Sequence, residues 1–290
     1  MRILVAGLLP HDSGKTTVTL SLISEAMRRG LDLGVSKPIS GFNGWSQYRF
    51  LEESLRLGIL VGEDLYRLHR AARSRDPIEA EGPVVILLAP PDPADMEWRV
   101  ISYKETVYDS SRQTLIARIT SCRGGEPISA YLYNTGHARR THPSLRTLAE
   151  KLLENSEHVE AEAGVIEEIL GYEAAINADT CLEQIMKNHE NMVIESYNDA
   201  AAPTSLSLQA EAALIVAPGR VALYRGDRYA KAVNVVRGMR NPWQVVCSSI
   251  VDLVKPEKHL RTTPLLEPYE GPWPWAEKLL DAILSLVGEE

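Results

Sequence analysis

The first twenty residues, MRILVAGLLPHDSGKTTVTL, constrain the fold more than any other stretch. Ile3 to Ala6 is an unbroken apolar run, as expected of a strand buried on both faces in a parallel sheet. It passes into Gly, Pro, His, Asp, Ser and Gly, which interrupt regular structure. Helical periodicity resumes at Thr16, with Val18, Leu20, Leu22, Ile23, Ala26 and Met27 as the apolar positions and Gly30 placed to end the helix. Strand, glycine-bearing loop, Gly-Lys-Thr and helix form the setting in which a Walker A match has a mechanism. Backbone N–H groups across Asp12, Ser13, Gly14, Lys15, Thr16 and Thr17 can wrap phosphate oxygens at the positive end of the helix. Lys15 is then expected to neutralise the β and γ oxygens, and the Thr16 hydroxyl to reach Mg²⁺. The spacing departs from G-x-x-x-x-G-K-T: Gly7 precedes Gly14 by seven residues, and Leu9 holds the usual first-glycine place. A plain turn with Ser13 capping the helix is the alternative.

The stretch LDLGVSKPISG at 31–41 reads as a second short strand. Pro38 cannot extend a hydrogen-bonded ladder, so Lys37 stands at the strand's carboxyl end, where open α/β sheets bind ligands. A surface lysine is the plainer meaning. Met192-Val193-Ile194 is a buried run leading into Glu195, a pattern in which a strand-end carboxylate reaches Mg²⁺ directly or through water. A helix-cap or salt-bridge acid is the alternative. In GEDLYRLHRAA at 62–72, Asp64 opens a helix, a place the helix dipole favours for an acid. Arg67, Arg70 and Arg73 fall on one helical face, either solvated or forming a basic wall for an anionic substrate.

Together, GLLPHDSGKTT and KPISG resemble the dethiobiotin synthetase-like branch of P-loop proteins. More narrowly, the chain resembles a set of uncharacterised archaeal proteins described as predicted P-loop ATPases or GTPases. The branch carries a long phosphate loop ending GKT and a KP-x-x-G segment after its second strand. It also has an acid opening a helix and another ending a buried strand, places that Asp64 and Glu195 match. The resemblance covers about residues 1–75 and 185–290. It implies an ATP- and Mg²⁺-dependent ligase or kinase that phosphorylates a small anionic or carbamate-like substrate. Lys15, Lys37 and Glu195 would be catalytic, with Thr16, Glu195 and Asp64 around the metal, in a homodimer. SYNDAAAPTS at 196–205 departs from the glycine-rich stretch of that branch, and Asn198 and Asp199 read either as substrate-facing groups or as turn residues. A nucleotide-hydrolysing switch or assembly ATPase acting on a protein partner is the rival function. Such switches usually carry an additional early loop lysine, and GLLPHDS has none. The chain has no N-K-x-D guanine signature, which favours ATP or ADP over guanine nucleotides.

The 290 residues, 44% hydrophobic and 24% charged, suit a single P-loop domain over 1–290. The expected fold is α/β, a mostly parallel sheet flanked by helices. WRVISYKETVY, QTLIARITSC and ISAYLYN, within 98–134, read as an inserted antiparallel β meander in a β-rich subregion at about 93–140. A helical stretch over 142–189, a buried strand at 213–217 and a closing amphipathic helix complete the reading. A net charge of −8 argues against broad nucleic-acid binding. Ile3–Ala6 is too short for a signal-peptide core and VVILL at 84–88 too short to span a membrane, so a cytoplasmic protein is expected. The three cysteines, Cys122, Cys181 and Cys247, lie far apart and read as buried thiols of a reducing compartment, not as a disulfide frame or zinc site.

Overall fold

The computed structural model describes residues 1–109, 111–264 and 273–288. Its strands, in chain order, are β1 (Arg2–Gly7), β2 (Gly34–Ser36), β3 (Ile39–Asn43), β4 (Val84–Leu88), β5 (Thr114–Ser121), β6 (Ile128–Asn134), β7 (His158–Ala161), β8 (Met192–Glu195), β9 (Ala212–Ala217), β10 (Arg220–Arg225) and β11 (Lys258–Arg261). They form two mixed sheets in an α/β protein. Where the sequence reads as one domain, the chain divides into two compact units: Met1–Pro38, Arg67–Asp76 and Leu182–Glu290, and Ile39–Tyr66 with Pro77–Cys181.

The first unit holds six strands in the order β11-β10-β9-β1-β8-β2. β1 lies parallel to β8 and β9, and β2 lies parallel to β8. β10 and β11 extend this parallel centre by antiparallel pairing. Every residue from Ile3 to Ala6 is buried, which is why that run is apolar without alternation. Ile3, Val5, Val193 and Leu214 share a core with Leu22 and Ile23 of α1 (Lys15–Arg28) and with Leu279, Leu280 and Ile283 of the helix Pro274–Gly288. The register pairs Val5 with Glu195, Gly7 with Val216 and Ser36 with Ile194. The carboxyl ends of four parallel strands therefore share one edge. The expected strand at 31–41 stops at Ser36, and Ile39 starts β3 in the other sheet. Proline lacks the N–H that a continued ladder needs.

The second unit holds the order β3-β4-β5-β6-β7. β4, β5 and β6 pair antiparallel, while β3 joins β4 and β7 joins β6 in parallel. Leu51, Leu65, Leu87, Leu115, Ile116 and Leu145 are among its core residues. Arg118 is fully buried within it, donating to the Leu60 carbonyl at 3.0 Å, to the Gly82 carbonyl at 2.6 Å and to the Thr120 hydroxyl. Burial pushes its guanidinium down to about 10. Three expectations change here. The first run of the expected meander is the helix Val100–Tyr108, none of whose residues is buried. β-Branched side chains favour a strand mainly where neighbours pack on them, and that packing is missing. The stretch 142–189 is not helical throughout, because β7 separates the helices Pro143–Leu153 and Ala163–Gly171. Finally, Cys122 and Cys181 form a disulfide, and Cys247 alone is a free, buried thiol.

Candidate functional site

The loop between β1 and α1 is held from within. Leu8 N–H donates to the Val216 carbonyl at 2.9 Å, carrying the β1–β9 ladder one residue past Gly7. The Ser13 hydroxyl donates to the Leu9 carbonyl at 2.7 Å and accepts from Leu9 N–H at 3.0 Å. Ser13 thus closes the loop instead of capping the helix. The N-cap is Gly14, in the left-handed region at φ +88°, with no side-chain cap and no acid in the first turn. Glycine takes that conformation without the clash a Cβ would meet. Asp12 is also left-handed, at φ +54°. No side chain caps the first turn, Lys15 to Thr17, and the N–H groups of a helix start are what it offers an anion.

Lys15 folds back over β1, its Nζ donating to the Asn198 carbonyl at 2.5 Å. Gly7 makes room for this: a Cβ there would sit 2.8 Å from Lys15 Nζ and 2.7 Å from Ser13 Oγ. Asn198 has φ +43°, a turn conformation that asparagine tolerates well. Its loop is pinned by Ala201 N–H to the Val245 carbonyl at 2.7 Å and by Cys247 N–H to the Asp199 carbonyl at 2.8 Å. Ser196 Oγ donates to the Ala200 carbonyl at 2.8 Å. Burial, only partly offset by the Tyr229 hydroxyl, pushes the Cys247 thiol up to about 12. It therefore stays protonated at neutral pH and is no nucleophile. Burial likewise pushes Tyr197 up to about 12, with the Asp199 charge adding to it.

Glu195 is the centre of the cluster and is fully buried. Its Oε1 accepts from Lys37 Nζ at 2.5 Å and from Thr16 Oγ1 at 2.9 Å. Its Oε2 accepts from Thr19 Oγ1 at 2.7 Å. Lys37 is only 4% exposed, so this is a buried ion pair completed by two hydroxyls. Lone carboxylates do not survive such burial; pairing and hydrogen bonding make this one tenable.

Of the residues singled out from sequence, Thr16 and Lys37 both bond Glu195 Oε1, and Lys15 stands one residue before Thr16. Asp64 lies in the first turn of the helix Glu63–Ala72, in the second unit. Arg67 and Arg70 lie on that helix. Arg73 follows its end at φ +50°, so the expected single face of three arginines is broken. Thr19 was not singled out. Its signal was a polar residue one helical turn after Thr16 inside an apolar stretch. The Asn198 carbonyl left no signal, because a backbone acceptor has no residue type. No protein-family model, curated protein or solved structure matches the chain.

Proposed function

We propose that this chain is an ATP- and Mg²⁺-dependent phosphotransfer enzyme of the P-loop type, acting on a small anionic substrate as a ligase or kinase. The observation that carries the reading is the convergence of Thr16 and Lys37 on Glu195 at the carboxyl ends of the parallel strands of the first sheet, beside the helix start that Lys15 opens without a side-chain cap. The N–H groups of Lys15, Thr16 and Thr17 bind phosphate oxygens, and Lys15 exchanges the Asn198 carbonyl for them. The Thr16 hydroxyl and the Glu195 carboxylate are hard oxygen donors of the kind Mg²⁺ takes. Among the described residues no three His, Cys, Asp or Glu side chains gather as a metal site. Thr16 and Glu195 would be the residues to hold Mg²⁺, an ion that commonly takes one or two protein oxygens beside substrate phosphate and water. When bound, it supplies charge neutralisation on the transferred phosphoryl group. Lys37 is a fixed cation held beside Glu195, ready to stabilise charge that builds during transfer. Among adenine and guanine nucleotides, the lack of an N-K-x-D motif favours ATP.

The test is ADP release from Mg-ATP across a panel of small carboxylates and carbamate-forming amines. Acceleration by a compound that itself becomes phosphorylated or condensed is expected. Hydrolysis stimulated only by a protein partner, with no small-molecule product, contradicts the enzyme reading and favours a nucleotide switch.

A further inference from the structure

We propose that Thr19 is a positioning residue for the Glu195 carboxylate, an assignment that rests on the phosphotransfer reading of this site. The sequence places Thr16 and Thr19 three apart on α1, so both hydroxyls project from one helix face. That face meets β8, where Glu195 ends the strand. The two hydroxyls grip different oxygens of the same carboxylate: Thr16 takes Oε1 at 2.9 Å and Thr19 takes Oε2 at 2.7 Å.

A threonine inside a helix ordinarily turns its hydroxyl back to the carbonyl four residues earlier. Thr19 has that option, with the Lys15 carbonyl 3.0 Å from its Oγ1. Its single proton serves one acceptor at a time. The shorter contact goes to the carboxylate, and hydrogen bonds to a charged acceptor are about twice as strong as neutral ones. Thr19 is 0% exposed, so water does not compete.

The consequence is orientation. The last torsion of a glutamate side chain is broad and nearly two-fold, so an unsupported carboxylate turns freely about it. With Oε2 tied to Thr19, Oε1 is the oxygen left facing Thr16 and Lys37, the pair that the phosphotransfer reading puts beside metal and phosphate. Thr19 itself touches neither. It acts on the metal through Glu195, as outer partners of metal ligands do, and losing such a partner typically costs roughly 10–100-fold in metal affinity.

The experiment titrates Mg²⁺ into protein held at fixed ADP, following the thermal midpoint, and separately measures ADP affinity in EDTA. Thr19→Val removes the donor at nearly constant shape, and Thr19→Ser keeps it. Thr19→Val should shift the Mg²⁺ half-saturation upward by roughly 10–100-fold while metal-free ADP affinity changes little. Thr19→Ser should return close to the wild-type value, a rescue that a purely packing role would not give. If Thr19→Val fails to fold, Thr19→Ala, which leaves space for a water, should show the same upward shift. Wild-type Mg²⁺ dependence in the folded valine or alanine variant overturns the assignment of Thr19 alone, as does a serine variant as impaired as valine. Wild-type protein that binds ADP with no Mg²⁺ dependence overturns the metal reading of Glu195, and this assignment with it.

Discussion

Lys15 and Lys37 follow the two strands that flank β8, and their surroundings differ. Lys15 reaches a backbone carbonyl it can leave, whereas Lys37 is buried against the carboxylate of Glu195. Lys15→Ala should therefore weaken nucleotide binding with little loss of stability. Lys37→Ala should leave ADP affinity nearly intact, lower turnover by about 10²–10³ and destabilise the fold by about 3–5 kcal/mol, because it strands a buried charge. Urea unfolding beside a turnover assay checks both halves. Lys37→Arg should not restore turnover, since a planar fork does not replace a compact ammonium in so closed a slot. GKTT and KPISG pick out both lysines; the burial of Lys37 against Glu195 was not legible, because no motif says how deeply a side chain is buried. His189 offers a separate pH test. Burial lowers its pKa, but hydrogen bonds to Asp76 at 2.5 Å and Asp32 at 3.0 Å outweigh this and raise it above the ordinary 6.5. Its stabilisation is fully present below the unfolded pKa and is lost as pH rises through the higher folded value. The gap in urea midpoint between wild type and His189→Gln should thus be widest in mild acid and close toward alkaline pH. A gap that widens with pH contradicts this.

At the scale of elements, the strand, loop and helix at the start were readable because each signal agrees with its neighbours: apolar run, turn residues, GKTT, apolar helix. Gly7 is where that loop has least room. Gly7→Ala would drive a methyl into Ser13 and Lys15, costing roughly 1–3 kcal/mol of overpacking and weakening nucleotide affinity together. Unchanged ADP affinity in a folded Gly7→Ala protein would show that the lysine has no fixed place in the loop. The stretch 98–108 misleads because its β-branched residues meet no sheet, and exposed propensity is a weak guide. The cysteines mislead for another reason. Cys122 follows β5 and Cys181 lies 59 residues later, and only the packed unit brings them together. Reduction, or Cys122→Ser with Cys181→Ser, should lower stability by about 2–4 kcal/mol in denaturant unfolding. Identical midpoints with and without reductant would mean that the bond constrains little.

For the whole molecule, the α/β character was legible, but the division into two sheets was not. β2 and β3 are separated only by Lys37 and Pro38 yet belong to different sheets, and both units are assembled from distant segments. Pairings such as β1 with β8 bring together residues about 190 apart, and a sequence carries no local mark of such partners. Among the described residues no helix is long and apolar enough to cross a membrane. On a chain of net charge −8, Lys15 and Lys37 lie toward the carboxyl edge of the first sheet. Nucleotide binding at that edge is the central proposal, and equilibrium titration of Mg-ADP into wild type, Lys15→Ala and Lys37→Ala tests it most directly. The predicted result is saturable binding by wild type, a loss of roughly 10–100-fold in Lys15→Ala, as for one charge-assisted hydrogen bond, and near-wild-type affinity in Lys37→Ala. No binding by wild type, or equal affinity in wild type and Lys15→Ala, would contradict it.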